Sequence, residues 1–161
     1  MTVISTEKDL DALTLTLVAE FEADVEAVWQ VWEDPRKLER WWGPPTWPAT
    51  FERHEFVAGG QTRYYMTGPD GDKAHGWWAI VAIDAPRRLE LDDGFADENG
   101  EPDQSPAMRM VVTLDRTAPG TRMTVVTTFV SVQQLEKNVE MGMEEGMRLA
   151  LGQIDALLTD A

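Results

Sequence analysis

The stretch 132–158 constrains the fold most. Leu135, Val139, Gly142/Met143, Gly146/Met147, Ala150/Leu151, Ile154 and Leu157/Leu158 form one apolar stripe at helical spacing. The opposite face carries Glu136, Lys137, Glu140, Glu144, Glu145, Arg148 and Asp155. This pattern predicts one amphipathic helix of about seven turns, about 40 Å long at 1.5 Å per residue. A helix of that length with one apolar face must lie on a large apolar partner, which in a chain of 161 residues means a sheet.

The sheet is visible upstream. Residues 13–21 alternate Leu13, Leu15 and Leu17 with Thr14, Thr16 and Val18, as a half-buried strand does. The period then changes. Val25, Val28, Trp29 and Trp32 recur at helical spacing, with Asp24 placed to cap the first turn. Asp34-Pro35 starts a second short helix that runs to about Trp41 and stops before Gly43-Pro44-Pro45. From Thr46 to Phe129 the texture is extended, with strands expected at 49–56, 61–67, 73–84, 87–91, 108–116 and 121–129. Gly59-Gly60, Pro69-Asp70-Gly71-Asp72, Pro86, Asn99-Gly100 and Pro119-Gly120 supply the turns. The expected fold is α+β with helix-grip order: a curved antiparallel β-sheet wrapped around a long C-terminal α-helix, with two short helices between the first and second strands. One domain over 1–161 accounts for the chain. Wrapping leaves a space between helix and sheet that is either packed solid or a ligand cavity.

Several segments resemble a known family. Val28-Trp29-Gln30-Val31-Trp32, Asp34-Pro35 and Leu38-Glu39-Arg40-Trp41-Trp42-Gly43-Pro44 are similar to the W-x-x-W-W-G-P region of the activator of heat-shock protein 90 ATPase homologues. Gly59-Gly60 with Arg63-Tyr64, His75-Gly76, Pro86-Arg87-Arg88-Leu89 and the helix segment Glu140-Met141-Gly142-Met143-Glu144-Glu145-Gly146 extend the match over most of 14–158. The family sits in the START/birch-pollen-allergen-like (SRPBCC) superfamily. That resemblance implies the helix-grip fold. It leaves function open, because superfamily members variously bind lipids, sterols or polyketide-like molecules, and some are cyclases or ring-hydroxylase subunits.

Composition removes other classes. The chain has no cysteine, which excludes disulfides, thiolate metal sites and cysteine nucleophiles. Lys+Arg 14 against Asp+Glu 29 gives a net charge of −15, which repels phosphate backbones, so no nucleic-acid partner is expected. No run approaches the ~18 apolar residues of a membrane span, and 1–8 is polar and unlike a signal peptide. A cytoplasmic protein without membrane insertion is expected. His54 and His75 lie on separate strands with no ligand spacing, so neither metal nor cofactor is expected. The acidic run from Asp92 to Asp103 fails the calcium-loop pattern: counting from Asp92 the sixth residue is Asp97, and from Asp97 it is Pro102, where glycine is required. It reads as a solvated surface loop. Ser5, Ser105 and Ser131 lack a nucleophile elbow.

Candidate site residues follow from the space between helix and sheet. Trp41-Trp42 either packs beneath the short helices and over a sheet edge, or forms a lid in which Trp42 guards a cavity mouth. Gly142 and Gly146 each cost a helix roughly 1 kcal/mol relative to alanine. Close helix–sheet packing or a cavity wall would offset that. Met110, Met143 and Met147, with Trp78 on a facing strand, suit an adaptable apolar lining. Arg63, flanked on its face by Tyr65, is the candidate inward cation for an anionic ligand, while Arg109 faces solvent if Met108 and Met110 face the core. The expected ligand-binding set is thus Trp42, Arg63, Tyr65, Trp78, Met110, Gly142, Met143, Gly146 and Met147. The first expectation is a protein that binds a small apolar molecule. A chaperone-interacting module is the alternative, and a cyclase-like enzyme the second. The last needs an acid/base pair aimed into a pocket, and His54, His75, Tyr64, Tyr65 and the scattered carboxylates supply no convincing one.

Overall fold

The computed structural model describes residues 3–159, so Met1 and Thr2 of the stretch 1–8, and residues 160–161 of the expected domain, lie outside the described residues. Alternation along the strands sets two faces. Leu15, Leu17, Ala19 and Phe21 on β2 (Thr14–Phe21) are buried and the residues between them are not. Met108, Met110, Val112 and Leu114 repeat the pattern on β7 (Met108–Arg116). Each of these side chains larger than alanine contributes about 1.5–3 kcal/mol through burial.

The strands form one antiparallel sheet of eight. In chain order they are β1 (Val3–Asp9), β2, β3 (Ala49–His54), β4 (Gln61–Thr67), β5 (Lys73–Asp84), β6 (Arg88–Phe95), β7 and β8 (Thr121–Thr128). The spatial order is β1-β2-β8-β7-β6-β5-β4-β3. The chain crosses from β2 to the far edge through α1 (Val25–Glu33) and α2 (Pro35–Trp41), then returns strand by strand until β8 pairs with β2. Asp24 accepts from the Ala27 amide as the α1 cap, and Asp34 accepts from the Arg36 amide ahead of Pro35. Both caps follow the sequence reading.

The helix-grip architecture matches the expectation, with three differences. A strand precedes 13–21: β1 is polar from Ser5 onward and lies at the sheet edge, where one face needs no apolar partner, so it carries no alternation. The two short helices therefore sit between the second and third strands. The C-terminal helical segment is not continuous. It is divided into α3 (Val132–Glu140), α4 (Met143–Leu151) and α5 (Ile154–Thr159). Gly142, at φ +87°, takes the left-handed conformation that ends α3, and its amide donates to the Val139 carbonyl. Finally, β6 runs four residues beyond the expected end at Leu91, to Phe95. Asp92 and Asp93 therefore belong to the sheet, not to the acidic loop.

Aromatic rings fill the interior where α1 and α2 meet β4 and β5. Trp32 meets Trp41 edge to face at 4.8 Å, and Trp42 meets Trp78 at 4.9 Å. Such pairs add about 0.5–1.5 kcal/mol beyond burial. No helix of the described residues is long and apolar enough to cross a membrane.

Candidate functional site

The inner face of β4 to β6 is built by simple alternation. On β4, Thr62, Tyr64 and Met66 point inward while Arg63 and Tyr65 point out. On β6, Leu89, Leu91 and Asp93 point inward. The adjacent acids therefore part company. Asp92 turns out and pairs with Arg109, Nε to Oδ1 at 2.6 Å, whereas Asp93 is 7% exposed.

Asp93 meets Tyr64, whose hydroxyl donates to its Oδ1 at 3.1 Å. No other hydrogen bond reaches this carboxyl among the described residues, and no cation pairs with it. Burial pushes the Asp93 carboxyl up to about 7, and the Tyr64 hydroxyl opposes that by stabilising the charged form. Burial, and then the neighbouring carboxylate, raises the Tyr64 phenol well above its usual range. The indole N–H groups of Trp42 and Trp78 are buried without a partner. They lie near enough to the pair to favour negative charge there, yet fall short of hydrogen-bond geometry.

Above this pair lies a cavity of about 350 Å³, within the range of roughly 300–1,000 Å³ typical of small-molecule sites. Trp42 and Pro44 close one side. Met108 and Met66 come from the sheet, and Met141, Met143 and Met147 from the α3–α4 junction. Asn138 borders it with its amide donating to the Gln134 carbonyl at 2.8 Å. A second hollow, about 430 Å³, lies where Glu20, Glu22 and Asp155 meet Leu158. None of the buried polar atoms left without a partner lines it.

The predicted residues divide into three groups. Trp42, Gly142, Met143, Gly146 and Met147 line the cavity. Trp78 and Met110 are fully buried in the core behind it. Arg63 and Tyr65 stand on the outer face, which corrects their placement as inward residues. Arg63 donates to the Gln61 side chain, and the Tyr65 ring packs by Lys73 and His75. The physical reason is the period of two, since Tyr64 is inward and its neighbours cannot be. Trp41 is buried beneath α1, with its Nε1 donating to the Val31 carbonyl, and Trp42 walls the cavity from within the core. A Cβ built on Gly146 meets nothing within 4 Å, so that glycine faces open space and not the sheet backbone. Arg109 is on the outer face as expected.

The histidines do not converge. His54 sits inside, with Nε2 donating to the Trp32 carbonyl at 3.1 Å and Nδ1 accepting from the Thr62 hydroxyl at 2.9 Å. Burial lowers its pKa, consistent with that neutral tautomer. His75 lies beside Tyr65. No group of three or more potential metal ligands gathers among the described residues.

With this geometry in place, comparison with known proteins decides the family. The family model for Activator of Hsp90 ATPase homolog 1-like protein matches residues 22–159. The chain belongs to this family. Among solved structures, this member of the Hsp90 ATPase activator homologue family is similar to a protein from Arthrobacter aurescens at 59% identity and TM-score 0.94, covering 99% of this chain and 94% of that one. It is also similar to a protein from Mycobacterium smegmatis at 46% identity and TM-score 0.89, with 98% of each chain covered. A family protein from Silicibacter pomeroyi, 20% identical with TM-score 0.75 over 91% of this chain and 97% of that one, shares the fold. No protein of curated function matches.

Sequence reasoning missed Asp93. The signal was present, because Leu89, Leu91 and Asp93 continue one alternation, but two consecutive acids before a glycine read as loop chemistry.

Proposed function

We propose that the chain is a cytoplasmic, single-domain binding protein that holds a small, mostly apolar molecule between its sheet and the α3–α4 junction. The observation that carries this reading is the cavity of about 350 Å³ with methionine walls and a buried acid–phenol pair at its base. Methionine side chains are pliable and polarizable, so such a wall adapts to ligand shape. Each Å² of apolar surface removed from water contributes about 25 cal/mol, enough for micromolar binding of a drug-sized molecule.

The test is uptake of Nile red, a neutral apolar dye, followed by fluorescence. Wild type is expected to bind it, and Met143→Trp, which fills the space, to lose binding while remaining folded. Absence of uptake by wild type, or unchanged uptake by the folded variant, overturns the reading.

The Tyr64–Asp93 pair favours a second reading. An acid near 7 beside a phenol in a cavity is the kind of pair a cyclase-like enzyme needs. Chemical change of a bound substrate that is lost in both Asp93→Asn and Tyr64→Phe would establish it. Chaperone contact, the activity named in the family's description, draws no support from this cavity.

A further inference from the structure

Asp93 lines the cavity with one oxygen held by Tyr64 and, among the described residues, no cation to answer its charge. We infer that the cavity selects organic amines, seating an apolar body among the methionines and a protonated nitrogen on Asp93. This deepens the binding reading above and rests on it.

Three observations carry the inference. First, the lining contains no arginine, lysine or histidine among the described residues. A fatty acid or other carboxylate would meet Asp93 with nothing to neutralise either charge, so anionic ligands are disfavoured. Second, a carboxylate buried without a cation is costly, and pairing restores much of what desolvation removes. The protein retains the acid at the base of an apolar cavity and fixes its orientation through the Tyr64 hydroxyl. Third, the net charge of −15 raises the local concentration of cations and lowers that of anions.

Among the described residues, nothing else around Asp93 competes for the role. From β4 it faces Tyr64, and from β5 the Trp78 indole. Trp42 and Pro44 face the cavity from the segment after α2, Met108 from β7, and Asn138, Met143 and Met147 from α3 and α4. Among these only Tyr64 ionises, and burial keeps it neutral at any ordinary pH. The preference for amines is therefore expected to follow the ionisation of Asp93 alone, strengthening as pH rises through about 7.

The experiment is calorimetric titration of the full chain with three molecules of one shape: naphthylmethylamine, naphthalenemethanol and naphthylacetic acid. At about pH 8.5 the amine is expected to bind at least about tenfold tighter than the alcohol, and the acid weakest. At about pH 5.5, with Asp93 protonated, the amine's advantage is expected to fall by about tenfold or more. In Asp93→Asn it is expected to disappear while the alcohol still binds. Equal affinities for amine and alcohol in wild type overturn the inference, as does an amine preference that survives in Asp93→Asn. If the variant does not fold, the wild-type pH dependence decides: a preference that does not change with pH overturns the inference. Uptake of Nile red without amine preference defeats this inference and leaves the binding reading standing, whereas loss of all uptake defeats both.

Discussion

Gly76 and Tyr64 are cross-strand partners, and the tyrosine ring lies over the space where a side chain on Gly76 would be. A Cβ at position 76 would collide with the Tyr64 Cζ and hydroxyl. The glycine is therefore a spatial requirement of the ring, and through the ring of the bond to Asp93.

Gly76→Ala is expected to destabilise the fold by about 1–3 kcal/mol through overpacking. It should also loosen the Tyr64–Asp93 contact. Urea unfolding measures the first effect, and a shifted tyrosine signal in ultraviolet difference spectra the second. An alanine variant as stable as wild type would mean that the ring moves aside freely.

The buried acid gives stability a pH dependence of definite sign. Burial raises the folded pKa of Asp93 to about 7 from 3.8. The folded state thus keeps a proton that the unfolded chain releases. The associated stability is complete below about pH 4 and is lost as pH rises through about 7. Asp93→Asn, which can still accept from Tyr64, is expected to remove that decline and to be more stable than wild type at about pH 8, by on the order of a few kcal/mol. His54 works in the opposite direction. Its pKa is lowered from 6.5, so its contribution is present above that value and lost as pH falls through the lowered one. The acid limb should therefore persist in Asp93→Asn. Unfolding midpoints across the pH range check both limbs.

The two glycines of the terminal segment should separate. Gly142 has φ +87°, so Gly142→Ala is expected to cost about 1 kcal/mol or more. Gly146 lies within α4 with open space where its side chain would be, so Gly146→Ala is expected to gain up to about 1 kcal/mol through helix propensity. Thermal unfolding of the two variants checks the contrast. A destabilised Gly146→Ala would place that face against something solid.

Arg63 and Tyr65 are on the outer face, so Arg63→Ala and Tyr65→Ala are expected to leave Nile red affinity unchanged within about twofold. A larger loss, measured on the folded variants, would require a route from the outer face to the cavity.

Much of the architecture was legible because burial writes a period into the chain. Leu15 to Phe21, Met108 to Leu114 and the caps Asp24 and Asp34 all stood where local rules put them. β1 was not legible, because an edge strand can be polar over most of its length, as β1 is from Ser5 to Asp9. The break at Gly142 was hidden by a stripe that keeps its apolar face across the turn, since the period survives where the hydrogen-bond ladder does not. The site was half visible. The methionines and glycines of the helical wall stood out by type and spacing. The pair Tyr64 and Asp93 did not, because it joins strands two apart in the sheet through residues that are separated in sequence.

The interruption at Gly142 divides the cavity between two kinds of element. Its acid and phenol are fixed on strands of the sheet, β6 and β4, while much of its apolar wall comes from one short segment where two helices meet. Changes within 138–147 alter the size and shape of the hollow without moving Tyr64 or Asp93, and changes at Gly76 or Asp93 alter its polarity without reshaping that wall. Volume and polarity are thus separate inheritable traits of this fold, each able to vary while the other is held.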